Sequence, residues 1–215
     1  SWDGVPSDLY NQHKGRMWSL ANAIFYANAL GEFAKHGITV ANQFTFQEVM
    51  FGFIRGWDVD AGWGGSHWDG ETIRPKALAF KLLAQHFGDT LVESALKGSP
   101  SYHKEADWGA DSYTGEVPYV ESFVSRYSKD KTLSILLTNK HEETDFTVFM
   151  TINSMAELAP TGEVWILNGP ELRAQNDGSP GEVNIQKYHL SGIQNKFSYT
   201  VPAHSINILN IHLKN

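Results

Sequence analysis

The residues best suited to chemistry lie between positions 55 and 75. Trp57, Trp63, His67 and Trp68 stand there among Asp58, Asp60, Asp69 and Glu71, with glycines at 56, 62, 64 and 65. Aromatic faces beside carboxylates suit sugars, whose C–H faces stack on rings while their hydroxyls bond to polar groups. The same Trp side chains could instead pin an irregular loop to the body of the protein, and composition leaves both readings open. Asp58, Asp60 and Gly62 resemble the start of a calcium loop. Gly falls at the fifth position rather than the sixth, however, and no Glu follows at the twelfth. His141, Glu142 and Glu143 fit a solvated turn better than a metal site, because Asn139 and Lys140 precede them in a turn-like string. Phosphate-loop, dinucleotide, nucleophile-elbow and zinc-protease signatures are absent from the sequence, so neither cofactor nor metal is expected.

The elements around this loop read as α/β. Over 19–36, Leu20, Ala23, Ile24, Ala27, Leu30 and Ala34 recur at helical spacing, with Ser19 placed to cap the start and Gly37 to end it. A β-branched stretch over 38–46 has strand character. A second helix opens at Pro75, where the missing N–H costs nothing, and Gly88 closes it. Helix, strand, long loop, helix describes two successive units of a parallel α/β protein, and loops at the carboxyl ends of such strands build active sites. Two units do not close a barrel, so the first half reads as incomplete.

Beyond about residue 90 the period becomes twofold. Strands are predicted over 133–137, 146–152, 163–167, 182–190, 196–201 and 205–213, separated by turn strings such as Asn168-Gly169-Pro170. Ile211 and Leu213 fall out of phase with Ile206 and Ile208, which predicts a bulge near Leu209 and Asn210. Residues 98–115 carry no periodicity and read as a long loop. The expected architecture is a barrel-type α/β segment over 1–90 followed by an antiparallel β-sandwich over 91–215.

Composition narrows the partners. A formal net charge of -7 disfavours a nucleic-acid backbone, which needs clustered Lys and Arg. No apolar run approaches the roughly 20 residues that span a bilayer. The chain has no Cys, which removes disulfide and thiolate chemistry and leaves the compartment open.

Several strings resemble one group of enzymes. GITVANQF over 37–44, RPKALAF over 74–80 and QHFG over 85–88, with VWILNGP over 164–170 and YTVPAHS over 199–205, are similar to the end of clan-A retaining glycoside hydrolases. This clan joins a (β/α)8 barrel to a β-sandwich and includes α-L-arabinofuranosidases, β-xylosidases and some endoglucanases. The resemblance implies that 19–36 is the seventh barrel helix, 38–46 the eighth strand and 75–87 the last helix. It also implies a carbohydrate substrate, with contacts from Trp2, Asn42, Phe44, Trp57, Trp63, His67 and Trp68. Phe44 falls where the clan places an aromatic residue beneath the sugar, although a plain core role fits it equally. Clan members use two Glu, roughly 5 Å apart for retention, and both are expected upstream of Ser1, in the remainder of the barrel on the same or a companion chain. Two alternatives stand: a non-catalytic carbohydrate-binding fragment, and an unusual enzyme using Asp3, for which no partner carboxylate stands at a barrel-compatible position.

Overall fold

The computed structural model describes residues 16–48, 51–55, 72–108, 111–177 and 180–214. Helix α1 runs Leu20–Lys35 and α2 runs Pro75–His86. The strands are β1 (Gln47–Glu48), β2 (Ile54–Arg55), β3 (Thr90–Leu91), β4 (Ser101–Trp108), β5 (Asp111–Pro118), β6 (Val120–Arg126), β7 (Thr132–Asn139), β8 (Phe146–Thr151), β9 (Leu158–Asn168), β10 (Asn184–Ser191), β11 (Lys196–Val201) and β12 (Ser205–Leu213).

Both helix boundaries follow from local chemistry. Ser19 occupies the N-cap of α1, but its hydroxyl donates to the Arg16 carbonyl instead of capping the helix. Backbone caps replace it: the N–H groups of Leu20 and Ala21 donate to the carbonyls of Ala174 and Leu172, each at 2.9 Å. At the far end Gly37 has φ +72°. Gly37 N–H donates to Ala34 O and Ile38 N–H to Phe33 O, the paired bonds of a Schellman stop, for which left-handed geometry favours Gly. Pro75 opens α2 after Arg74. Gly88 serves close approach, since a Cβ there would lie 2.4 Å from the Arg126 backbone.

One antiparallel sheet organises the molecule, in the order β10-β9-β12-β7-β6-β3. Its central strands are apolar on both faces. Leu136, Ile206 and Ile208 pack with Leu20, Ile24, Ala27, Ala79 and Leu82 of the helices. Leu133, Ile135, Leu137, Leu209 and Ile211 pack on the opposite side with Met150, Val201 and the rest of the β8–β11 pair. Two helices, a six-stranded sheet and a two-stranded sheet therefore form three layers, the last two a lopsided sandwich. Near the interface Asn28 accepts a 2.7 Å bond from the buried Thr138 hydroxyl, satisfying both groups away from water.

Three expectations need correction. No strand forms over 38–46; only the short parallel pair β1–β2 follows it. Strand geometry needs a paired neighbouring strand, and among the described residues no strand pairs with 38–46, whose backbone bonds occur at its two ends, Ile38 and Phe46. The supposed loop over 98–115 contains the hairpin β4–β5, with Ser101 paired to Pro118 and Trp108 to Asp111. Its described side chains are mostly exposed or half-buried, so no apolar alternation marks it. Cross-strand contacts support it instead, including the Ser101 hydroxyl on Glu116 at 2.6 Å and His103 on Glu116 at 3.1 Å. Finally, Ile211 needs no bulge near Leu209 and Asn210, because β12 is buried on both faces; the register shift lies between Ile211 and Leu213.

Candidate functional site

Of the expected substrate-contacting residues, Asn42 and Phe44 are described. Trp2, Trp57, Trp63, His67 and Trp68 lie outside the described residues, as do Asp3, Asp58, Asp60, Asp69 and Glu71. Asn42 and Phe44 sit on the extended segment after α1, and Phe44 is 74% exposed. Phe44 is thus not a core residue of this chain. The adjoining backbone is held by Gln43, whose amide donates to the carbonyls of Phe44 and Phe51, the latter at 3.0 Å. Beyond it Phe46 accepts from the N–H groups of Phe53 and Ile54, at 2.9 and 3.0 Å. The Glu48 carboxylate accepts from Phe51 N–H at 2.6 Å.

Two residues beyond Phe44, at Phe46, rings converge. Phe53 is buried and meets Tyr26 of α1 edge-on at 5.9 Å, Phe46 at 6.5 Å and Phe80 of α2 at 5.2 Å. Phe46 and Phe80 each leave much of their surface open, and so do Phe25, Phe33, Ile38, Val40 and Ile73. Helix pair and extended segment therefore each leave large apolar side chains in water, and those of Phe46 and Phe80 adjoin one another through Phe53.

The polar part of the site centres on Arg74, which is 1% exposed. Its Nη2 lies 3.2 Å from Asp177 Oδ2, and Nε donates to both carboxylate oxygens at 3.3 Å. Nη1 donates to the carbonyls of Glu48 and Gly52, and the guanidinium lies over the Trp18 ring at 4.6 Å. Arg55 Nε approaches the same carboxylate at 4.0 Å. A buried guanidinium needs such partners, because its charge is costly to remove from water. Burial pulls the Arg74 pKa down, while Asp177 opposes the shift.

Lys76, two residues later, donates to Phe51 O at 2.5 Å and points toward the rings of Phe53 and Tyr26, at 5.6 and 6.0 Å. Burial first, and the neighbouring Arg74 second, lower its pKa to about 8. Asn176 completes the frame: its amide donates to Ile73 O and Val183 O, and its carbonyl accepts from Val183 N–H. Asp177 and Glu48 both hold backbone or cation in place, so their structural work is anchoring the segment that carries Phe44.

Sequence reasoning did not single out Arg74, Lys76, Asn176 or Asp177 as members of the site. One signal was present. An Arg directly before Pro75 occupies an N-cap position where Ser, Asp or Asn would ordinarily serve the helix, which marks it for another task. His141, by contrast, lies in a turn as expected. Its Nδ1 accepts from the N–H groups of Glu143 and Thr144, at 3.1 and 3.0 Å, and no cluster suited to a metal occurs among the described residues.

No known family model and no curated protein matches the sequence. Solved structures do. The layers define a sandwich-and-helix unit of the kind found in clan-A glycoside hydrolases. The arabinose complex of the α-L-arabinofuranosidase from Thermotoga maritima superposes with a TM-score of 0.76 at 21% identity, over 94% of this chain and 40% of that one. The thermostable GH51 enzyme from Thermotoga petrophila RKU-1 gives 0.75 at 21% identity, over 92% and 39%. CelM2, a bifunctional glucanase-xylanase from a metagenome library, gives 0.57 at 17% identity, over 92% and 29%. The fold of this chain is that of the C-terminal portion of such hydrolases, and the chain spans about 40% of the length of the arabinofuranosidases it matches.

Proposed function

We propose that the chain is the C-terminal portion of a retaining glycoside hydrolase acting on plant-type polysaccharide or oligosaccharide, with its two catalytic Glu residues outside these 215 residues. In this reading residues 1–90 supply the last two units of a (β/α)8 barrel and 91–215 the sandwich. Trp2, Asn42, Phe44 and the loop residues Trp57, Trp63, His67 and Trp68 line the sugar site. The exposure of Phe25, Phe33, Ile38, Val40, Phe46 and Phe80 carries the proposal. Its place on helices and segment matched to an arabinofuranosidase fold makes the remaining barrel the natural cover.

The Arg74–Asp177 pair then acts at a distance from chemistry. Arg74 holds the carbonyls of Glu48 and Gly52, which follow the segment presenting Asn42 and Phe44. Phe44 offers a ring to the C–H face of a sugar, and its exposure leaves that face free. Protonation of the leaving oxygen and attack on the anomeric carbon would both come from the absent carboxylates.

The test compares the 215-residue chain with the complete polypeptide on an aryl α-L-arabinofuranoside. The chain alone should not exceed background, while the complete polypeptide should release product whose first-formed anomer, followed by NMR, has the configuration of the substrate. Hydrolysis by the chain alone would overturn the reading and bring Asp3 back into consideration. Sugar binding by a complete polypeptide that never hydrolyses would favour the non-catalytic alternative.

A further inference from the structure

Helix α2 and the segment carrying Phe44 meet at one carbonyl, that of Phe51. Gln43 Nε2 donates to it at 3.0 Å from the Phe44 side, and Lys76 Nζ donates to it at 2.5 Å from the start of α2. A carbonyl oxygen has two lone pairs, and these donors use both. The N–H of the same residue donates to the Glu48 carboxylate at 2.6 Å. Gly52 follows, where a Cβ would lie 2.4 Å from Glu48 N, so the turn closes backbone against backbone. Phe51 is therefore an anchor rather than a free loop carbonyl.

Gln43 uses this anchor in a particular way. Its amide nitrogen carries two hydrogens. One goes to Phe51 O and the other to the carbonyl of Phe44 itself. Both partners only accept, which fixes the amide with its nitrogen toward them. Gln43 is half-buried, while Asn42 and Phe44 on either side of it are exposed. A ring that is 74% exposed gains little orientation from packing, so bonds to its backbone have to supply it.

We propose that Gln43 is a positioning residue for the sugar site: through the Phe51 carbonyl, which Lys76 holds from α2, it sets the place and tilt of Phe44 against the substrate ring. The inference rests on the reading proposed above, in which Phe44 offers its face to a sugar. Stacking alone does not speed a reaction; the stacked sugar must also present its anomeric carbon to the attacking group, and small misplacements are costly. Lys76 contributes a bond from an ammonium, stronger than one between neutral groups, and it ties the anchor to a helix rather than to another loop. Neither Gln43 nor Lys76 has to touch the sugar.

A kinetic double-mutant cycle in the complete polypeptide, on an aryl α-L-arabinofuranoside, tests the inference. Gln43→Met keeps the length of the side chain and removes both donors. It should lower kcat on the order of tenfold with KM nearly unchanged, because the ring remains while its placement is lost. Added to Phe44→Ala it should cost nothing further, since no ring is left to place. Lys76→Met should follow the same pattern, costly with Phe44 present and silent without it. A residue that merely stabilised the turn would instead reduce activity equally in both backgrounds. Additive losses in the cycle therefore overturn the inference, as does a Gln43→Met enzyme with the kinetics of the parent. A costly Phe44→Ala beside a silent Gln43→Met defeats this inference alone and leaves the proposed function standing. A silent Phe44→Ala removes the sugar contact itself and this inference with it, and a complete polypeptide that hydrolyses nothing defeats both readings.

Discussion

Phe44 and Arg74 divide the labour of the site between contact and support. Phe44→Ala should leave the melting temperature of this chain unchanged, because the ring is already in solvent. In the complete polypeptide it should lower kcat/KM toward an arabinofuranoside. Asp177→Asn should behave oppositely. It leaves a buried guanidinium with a neutral partner, and chemical denaturation should record a loss of about 3 kcal/mol. Arg74→Met combined with Asp177→Asn should cost less than the sum of the two, the mark of a direct pair. Lys76 gives the pH signature. Its folded-state pKa of about 8 lies below the ordinary 10.5, so the unfolded chain binds the proton more tightly. The destabilisation from this group is fully present below pH 8 and is relieved as pH rises toward 10.5. Lys76→Met should therefore be stabilised relative to the parent at pH 7, and that advantage should shrink between pH 8 and 10. An advantage constant with pH would show that Lys76 is not the titrating group. None of these polar residues could be placed from the sequence, since Arg74 and Asp177 are 103 positions apart and meet only through the packing of α2 on the sheet.

Helices and paired strands were legible where one face is apolar and the other wet. Both helices lie within a residue or so of their periodic stripes, and the turn strings separated most strands of the sandwich. Legibility failed in two physically distinct ways. Strand β7 is buried throughout and β12 nearly so, so alternation carried no information about register. The β4–β5 hairpin failed for the opposite reason, being largely in water. Two glycines show what the elements demand of each other. At Gly31 a Cβ would meet the Phe123 ring at 2.6 Å, and at Gly88 the Arg126 backbone at 2.4 Å. Gly88→Ala should destabilise by roughly 1–3 kcal/mol, because backbone on both sides must shift. Gly37→Ala has open space around it and should cost only about 1 kcal/mol, from its left-handed φ. Parallel measurements of thermal unfolding would separate crowding from conformational strain.

For the whole molecule the exposed apolar surface is the governing fact. A chain that leaves Phe25, Phe46 and Phe80 in water should self-associate or bind a hydrophobic dye when alone. Sedimentation should find the parent chain associated and a Phe25→Glu, Phe80→Glu variant shifted toward monomer. A parent that stays monodisperse and dye-free would speak against the barrel-remnant reading. The sequence shows both helices by their periodic stripes and implies a partial barrel by resemblance alone. It could not show how they are fastened to the rest.

That fastening has a consequence for how such proteins are inherited. One sheet lends its two faces to two cores, so the helices and the β8–β11 pair lean on the same wall. Neither side is a bead that can be cut from the string and threaded elsewhere, because removing the helices would bare Leu136, Ile206 and Ile208 to water. A gene rearrangement that carried off the sandwich alone would carry off an unfinished object. The sandwich and its two helices therefore stand or fall together, and the hydrolase structures superpose on more than nine-tenths of this chain.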